Sequence, residues 1–455
     1  MTLTAPDDTR VLAVNELTVA LAEVPKLGKP IRIKSITIDD GEVNIVRDAA
    51  TGEIRGLVPM TERSVSKEAE AGVEENFRLS SVLVLEHVEI HGVDLAIDLG
   101  DGSGPMRIDG FDLALDVKEA ADQPGTPSGP GWYALAFTSG RAPGLQLDVD
   151  GRFNVDTFDA FVSSCTGTVD LQPETYDTLP GAIAQALRER DARGKLRLDV
   201  SGSVPLTDPI AGSKLDLVAT LTALNVAAGE YRFPVDEAVA KVNLASGLAT
   251  LTSLDAKAIN GTIAATGEFN LTAAAMPSHL AWNLDGLDVE QLLRGQGPDA
   301  PDLAGIVTGA GTASTNLADP LASMSGSGEV HLRDGRVLVI PGLTQLGKLA
   351  SVATFGQATD KNHKADATFT LTGTGVHLDS SEVVTAALAA RATGTIGYDT
   401  SLDLDVNAGP LEKLQDTLGG VGKLIGKVTD QLVTYKVEGT TADPKVRVAP
   451  LGIGG

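Results

Sequence analysis

Six histidines, a single cysteine and a dense scatter of acids are the residues of this chain that could do chemistry. His87 and His91 sit four apart, which on a helix would suit a metal ion. They lie in LEHVEIHG, a strand-like run, where four residues span roughly 13 Å, too far for two ligands of one ion. The reading they support is a pair of solvent-facing strand histidines. His279, His331, His363 and His377 are scattered and lack Cys or carboxylate companions at ligand spacing. GGVGKLIGK at 419–427 hints at a phosphate loop but fails: Thr417 stands where the first Gly is needed, and Leu424 replaces the hydroxyl residue. LDVDGRFNVD fails as a calcium loop, because its Gly comes too early and the closing Glu is missing. GTGVHL at 373–378 lacks the third Gly of a dinucleotide fingerprint, and no G-x-S-x-G is present. Asn260-Gly261-Thr262 and Asn270-Leu271-Thr272 match the glycosylation acceptor pattern, but turn and strand usage explain both. No catalytic residue, metal site or cofactor site is expected.

Bulk properties narrow the partners. Among 455 residues, Lys and Arg number 36 and Asp and Glu 61, a net charge of −25. That argues against nucleic acid, whose binding needs phosphate neutralisation. It also argues against electrostatic docking on an anionic membrane surface. Hydrophobic residues make up 42% but aromatics only 4%, and 50 glycines favour many turns over long helices. With Cys165 alone, no intrachain disulfide is possible. MTLTAPDDTR has no basic start and no apolar core, so it does not read as a signal peptide. The longest uncharged runs, 123–140 and 303–318, are too rich in Gly, Thr, Ser, Pro or Ala for a membrane span. The expectation is a soluble chain without an anchor or signal of its own.

What must carry any function is therefore a scaffold of strands. In GVDLAIDL, Val93, Leu95, Ile97 and Leu99 alternate with Asp94, Ala96 and Asp98. In GFDLALDV, Phe111, Leu113, Leu115 and Val117 alternate with Asp112, Ala114 and Asp116. Such segments bury one side and solvate the other. The same alternation marks Tyr133-Leu135-Phe137, Leu145-Leu147-Val149, Leu196-Leu198-Val200, Phe369-Leu371, Leu402-Leu404-Val406 and Val433-Tyr435-Val437. Asp-Gly pairs at 40–41, 101–102, 150–151 and 334–335 are expected hairpin turns. About twenty strands follow from typical strand and loop lengths.

The sequence also repeats itself. Ile31, Ile33, Ile36, Ile38, Val43 and Ile45 have the same spacings as Leu83, Leu85, Val88, Ile90, Leu95 and Ile97. The step of three predicts a bulge or bend, and the step of five a tight hairpin. Val330-Leu332-Val337-Val339 is a partial third copy. Asp-Pro turns recur at 208–209, 319–320 and 443–444. Helical pattern is sparse: a helix within 176–193, with Leu179, Ile183 and Leu187 on one face, and helices near 341–356 and 410–432, all read as caps on a sheet. The organisation expected is a first strand repeat over 1–60, an exposed linker over 61–76, a second repeat with following strands over 77–175, the helix, and a C-terminal β domain over 194–455.

These segments resemble the AsmA-like family of bacterial envelope proteins. IRIKSITIDDGEVNIVRDAATGEI resembles that family's paired-strand segment, and RLSSVLVLEHVEIHGVDLAIDL its second copy. GSGEVHLRDGRVLVIPGLTQLGKLA resembles its C-terminal signature, and VEGTTADPKVRVAP its closing strand pair. The resemblance implies a role in outer-membrane biogenesis on the periplasmic side of the cell envelope, with association to the inner membrane in a full-length form. It implies membrane or membrane-protein partners and no catalytic residues. Related longer proteins are taken to pass phospholipid along a β-sheet groove.

The fold expected is mostly β: a long, curved antiparallel sheet, groove-like or solenoid-like, with about three short capping helices. The function expected is non-enzymatic holding or passing of phospholipid, or another acyl lipid, along an apolar sheet face. The candidate lining is Val93, Leu95, Ile97, Leu99, Phe111, Leu113, Leu115, Val117, Leu145 and Leu147. Each would equally serve as ordinary core beneath a helix or facing sheet. The alternative is a structural β-repeat scaffold or assembly factor with a filled core and no lipid. About twenty strands at ~4.8 Å give roughly 100 Å of sheet, one segment of an envelope rather than its full depth.

Overall fold

A computed structural model describes residues 2–4, 10–26, 29–47, 78–98, 100, 102, 104–116, 125–140, 142–228, 231–294, 296, 304–336, 363–385, 388–410, 433–441 and 443–448. The chain is mostly β, its antiparallel sheet is not closed, and the three α-helices among the described residues are short. It divides into two compact units, one of 1–228 and 237–252, the other of 229–236 and 253–455.

The first unit is built on β1 (Thr2–Thr4), β2 (Arg10–Leu21), β3 (Ile31–Val46), β4 (Leu83–Leu85), β5 (His87–Asp98), β6 (Met106–Asp116), β7 (Trp132–Ser139), β8 (Gln146–Asn154), β9 (Asp159–Leu171), β10 (Arg193–Pro205) and β11 (Lys214–Ala228). β1, β2 and β3 pair in sequence order, β5 lies against β3, and β5 to β11 follow as a meander. All of these pairings are antiparallel except those of β3 with β4 and β5, which are parallel. That exception accounts for the internal repeat. Ile31 faces Leu83, Ile36 faces Val88, Val43 faces Leu95 and Ile45 faces Ile97, a constant offset of 52 residues. The two copies lie side by side in register, so each apolar residue of one meets its counterpart in the other.

The step of five is not a hairpin. Asp40-Gly41 sits inside β3, and Asp40 has φ +51°. Gly92 and Gly110, mid-strand in β5 and β6, have φ +63° and +65°, and the β5–β6 register shifts on either side of Val93. Asp150-Gly151 likewise lies within β8, at a register shift against β9. Both of these Asp-Gly pairs, expected as hairpin turns, lie within strands instead. An Asp-Gly pair supplies a left-handed residue, which a bulge uses as readily as a hairpin. The extra residue lets the strand run on while its apolar side chains stay on one face. The step of three, by contrast, does coincide with a register shift, between Ala20 and Leu21 of β2 opposite Ser35 and Ile33.

Helix α1 (Leu79–Val82) precedes β4. Between β9 and β10 the chain makes a 3-10 turn at Tyr176–Thr178 and then helix α2 (Gly181–Glu189), shorter than the 176–193 expected. Leu179 is 2% exposed and Ala184 is buried, but Ile183 is 49% exposed. The buried side is therefore Ala184 and Leu187, not Ile183, because Leu179 lies before the helix and does not share its periodicity. Residue 194, where a C-terminal domain was expected to begin, falls inside β10, which is paired on both edges within this unit.

β12 (Tyr231–Ala245) and β13 (Leu248–Ala258) contribute residues to both units. The second unit continues with β14 (Gly261–Asn270), β15 (Pro277–Asp288), helix α3 (Val289–Leu293), β16 (Ala304–Asn316), β17 (Ser325–Arg336), β18 (His363–Thr372), β19 (Gly375–Val384), β20 (Leu388–Gly397), β21 (Ser401–Pro410), β22 (Val433–Thr440) and β23 (Pro444–Val448). From β14 on, each strand pairs antiparallel with the next. Asp334-Gly335 is again an irregularity within a paired strand, near the end of β17, not a hairpin. Asp288 caps α3, its side chain accepting from the Gln291 amide. The linker at 61–76 and the helix near 341–356 lie outside the described residues, as does the helix near 410–432 apart from Pro410, the last residue of β21.

Candidate functional site

In a paired sheet, residues directly opposite one another project from the same face. The ladders of the first unit therefore assemble the alternating apolar residues into rows. Leu12, Val43, Leu95 and Ile108 form one row across β2, β3, β5 and β6, and Leu17, Ile38, Ile90 and Leu113 another. Phe137, Val149, Cys165, Val200 and Leu217 form a third across β7 to β11. Phe111 and Phe137, with ring centroids 5.5 Å apart and tilted by 58°, join the two sets. One face of the unit is thus apolar from β2 to β11.

The proposed lining residues take different positions on it. Val93 is 1% exposed, beside the bulges. Leu95, Ile97, Phe111 and Leu113 are half-buried in the β5–β6 rows. The backbone of Leu115 pairs with Val88. Leu95, Leu145 and Leu147 meet in one packed cluster with Ile108, Val169, Leu171 and Leu179, joined by Leu187 of α2. At that end the 3-10 turn and helix cover the face, and the residues there are filled core. Leu99 and Val117 lie outside the described residues. Where no helix covers it, the face is open: Leu17, Val19, Leu21 and Ile31 are 40–49% exposed.

The bulges that keep this face continuous are held by the acids of the opposite face. The Gly92 amide donates to Asp112 Oδ1 at 2.9 Å, and the Gly110 amide donates to Asp94 Oδ1 at 3.0 Å. Gly92-Val93-Asp94 and Gly110-Phe111-Asp112 clasp one another, with Val93 opposite Phe111 between them. A Cβ at Gly92 would come within 2.8 Å of Asp40 Oδ1. Asp94 and Asp112 therefore do more than solvate the sheet. They satisfy the two amides that the left-handed glycines turn out of the ladder.

The second unit carries a similar apolar face, whose key residues the alternation pattern alone does not reveal. Trp282, Gly311, Gly328 and Phe369 are opposite one another in a single row across β15 to β18. The Trp282 and Phe369 rings are near-parallel, at 11° and 6.4 Å, and lie over the two glycines. A Cβ on Gly311 would stand 2.6 Å from Trp282 Cζ2, and one on Gly328 would stand 2.8 Å from Phe369 Cζ. The signal that could have found this row is a glycine pair flanked at strand spacing by two aromatics. Further along, Ala390, Val406, Ala408, Tyr435 and Val437 form a buried cluster.

The opposite, polar faces hold the titratable groups. Glu89 lies between His87, at 2.9 Å, and His91, at 3.7 Å. The His87 hydrogen bond holds its carboxyl below the usual range. In the second unit, Asp366 accepts from His331 Nδ1 at 2.6 Å and Arg333 Nη2 at 2.5 Å. Burial would raise its pKa, but the Arg333 and His331 hydrogen bonds outweigh this and lower it. Cys165 faces the other way; burial first, then the Asp148 and Asp199 carboxylates, push its thiol pKa up. A concavity of about 460 Å³ in the first unit is lined by Ser164, Thr166, Asp199, Asp216 and Asn243 together with Val200, Leu217 and other neighbours. Among the described residues no three His, Cys, Asp or Glu side chains converge as a metal site would require. No described helix is long and apolar enough to cross a membrane. No known protein family, curated protein or solved structure matches the chain.

Proposed function

We propose that the protein is a non-enzymatic, AsmA-like component of the cell envelope that holds or passes acyl lipid along the apolar face of its sheet. It works on the periplasmic side with membrane or membrane-protein partners, and without cofactor, metal or nucleic acid. The observation that carries this reading is the apolar face continuing across β2 to β11, exposed at Leu17, Val19, Leu21 and Ile31 rather than buried under a second layer. Each methylene moved from water onto such a face gains about 0.8 kcal/mol. A single acyl chain therefore needs a continuous apolar strip rather than a shaped pocket.

A dry scaffold or assembly factor is favoured by one specific feature, the filled cluster beneath α2. Extraction of the purified protein followed by mass spectrometry separates the two. A carrier yields stoichiometric phospholipid, and Leu198→Asp, on the half-buried stretch of the face, loses it while the circular dichroism of the sheet is kept. Lipid no more abundant than on a soluble control purified in parallel would sink the carrier reading in favour of the scaffold.

A further inference from the structure

The chain-wide charge of −25 hides a local reversal. Residues 17–38, the two strand limbs and the β2–β3 connection, hold Lys26, Lys29, Arg32 and Lys34 against Glu23 alone. Residues 21–26 and 29–32 are exposed: Val24 is 80% exposed, and Leu21, Ile31 and nearby Val82 of α1 are 39–49% exposed. The ladder ends at this point, with the Ala22 amide donating to the Arg32 carbonyl and Ile31 facing Leu83. Lys26 stands 3.8 Å from Glu23 and Arg32 3.5 Å from Glu86, both at the surface where solvent screens them. Lys29 and Lys34 have no ion-pair partner among the described residues.

We propose that this end of the first unit docks on anionic phospholipid bilayers. It deepens the envelope reading and rests on it for the choice of a membrane as occupant. The cations at the connection meet headgroup phosphates, and Val24, Leu21, Ile31 and Val82 enter the interface. Aliphatic side chains ringed by lysines are what an interfacial contact needs. The rest of the chain, being acidic, is repelled by the same surface, so it stands off while the basic end engages. The apolar rows begin at this end, in Leu17, Val19 and Leu21 opposite Ile38, Ile36 and Ile33. A lipid leaving the bilayer here would meet the apolar face directly.

Vesicle flotation tests this with the full chain. Wild type should float with vesicles containing phosphatidylglycerol, remain behind with pure phosphatidylcholine, and lose binding at high salt. Each interfacial cation contributes about fivefold in partitioning. Lys26→Glu with Lys29→Glu should therefore cost roughly 30-fold or more, and Val24→Asp should weaken binding with the thermal melt unchanged. Equal flotation of wild type and the charge reversals, or equal binding to neutral vesicles, would overturn the proposal. So would a salt-sensitive dimer that the reversals dissociate, with no vesicle binding, because the occupant would then be a second copy. Lipid extraction reads the carrier reading separately. Copurified lipid without flotation defeats the docking alone, and flotation without copurified lipid supports docking while defeating the carrier.

Discussion

Replacing Asp94 with Ala removes the acceptor of the Gly110 amide, on the neighbouring strand, and leaves the Gly92 amide bonded to Asp112. Replacing Asp112 does the reverse. Both bonds are near ideal length, at 2.9 and 3.0 Å, and both are charge-assisted. The sites are exposed, so water can reach a freed amide and the full desolvation penalty does not apply. A net cost of about 1 kcal/mol for each substitution is the expected scale. Because the two bonds flank one residue pair, Val93 and Phe111, the double variant should show coupling rather than simple addition. Native-state hydrogen exchange reads this locally. Asp94→Ala should speed exchange at Gly110 about fivefold and spare Gly92, and Asp112→Ala should do the opposite. Asp→Asn at either site keeps an acceptor oxygen and should recover most of the protection. Exchange that rises at the wrong glycine, or at neither, would refute the clasp and return these acids to a purely solvating role.

Other consequences follow from the packing and charges. Gly311→Ala should destabilise by about 1–3 kcal/mol, since the added methyl meets the Ser327 carbonyl and the Trp282 ring at 2.6 Å each; urea unfolding with Trp emission reads it. Leu179→Ala, which empties a side chain 2% exposed beneath α2, should cost about 2–5 kcal/mol, and a melt unchanged from wild type would show that the cluster is not a filled core. The folded pKa of Asp366 lies below its unfolded value, so its bonds to Arg333 and His331 stabilise the protein above the unfolded value of ~3.9. That contribution is lost as pH falls through the folded pKa. The urea midpoint should drop over this acid window in wild type and drop less in Asp366→Asn.

Alternation of apolar and acidic residues determined by itself that this is a sheet protein, which residues of each strand share a face, and that helices are few. Those are properties of the two-residue period, which is local. The equal spacings around Ile31 and Leu83 were legible too, but not their meaning. Whether two copies pair, and in which direction, depends on the connection between them, and only the tertiary structure decides for parallel, in-register neighbours. The Asp-Gly pairs show the same limit. A left-handed residue suits a hairpin and a bulge alike, and the choice rests on which strand lies opposite. Sequence also named Leu95, Leu145 and Leu147 as face residues without telling open face from core. That distinction came from Leu179 and Leu187, brought over them by a turn and helix distant in the chain. The Trp282–Gly311–Gly328–Phe369 row and the basic end at Lys26 and Lys29 were hidden for the same reason. One is a cross-strand alignment and the other a local excess inside an acidic average, and neither has a period that a single strand can display.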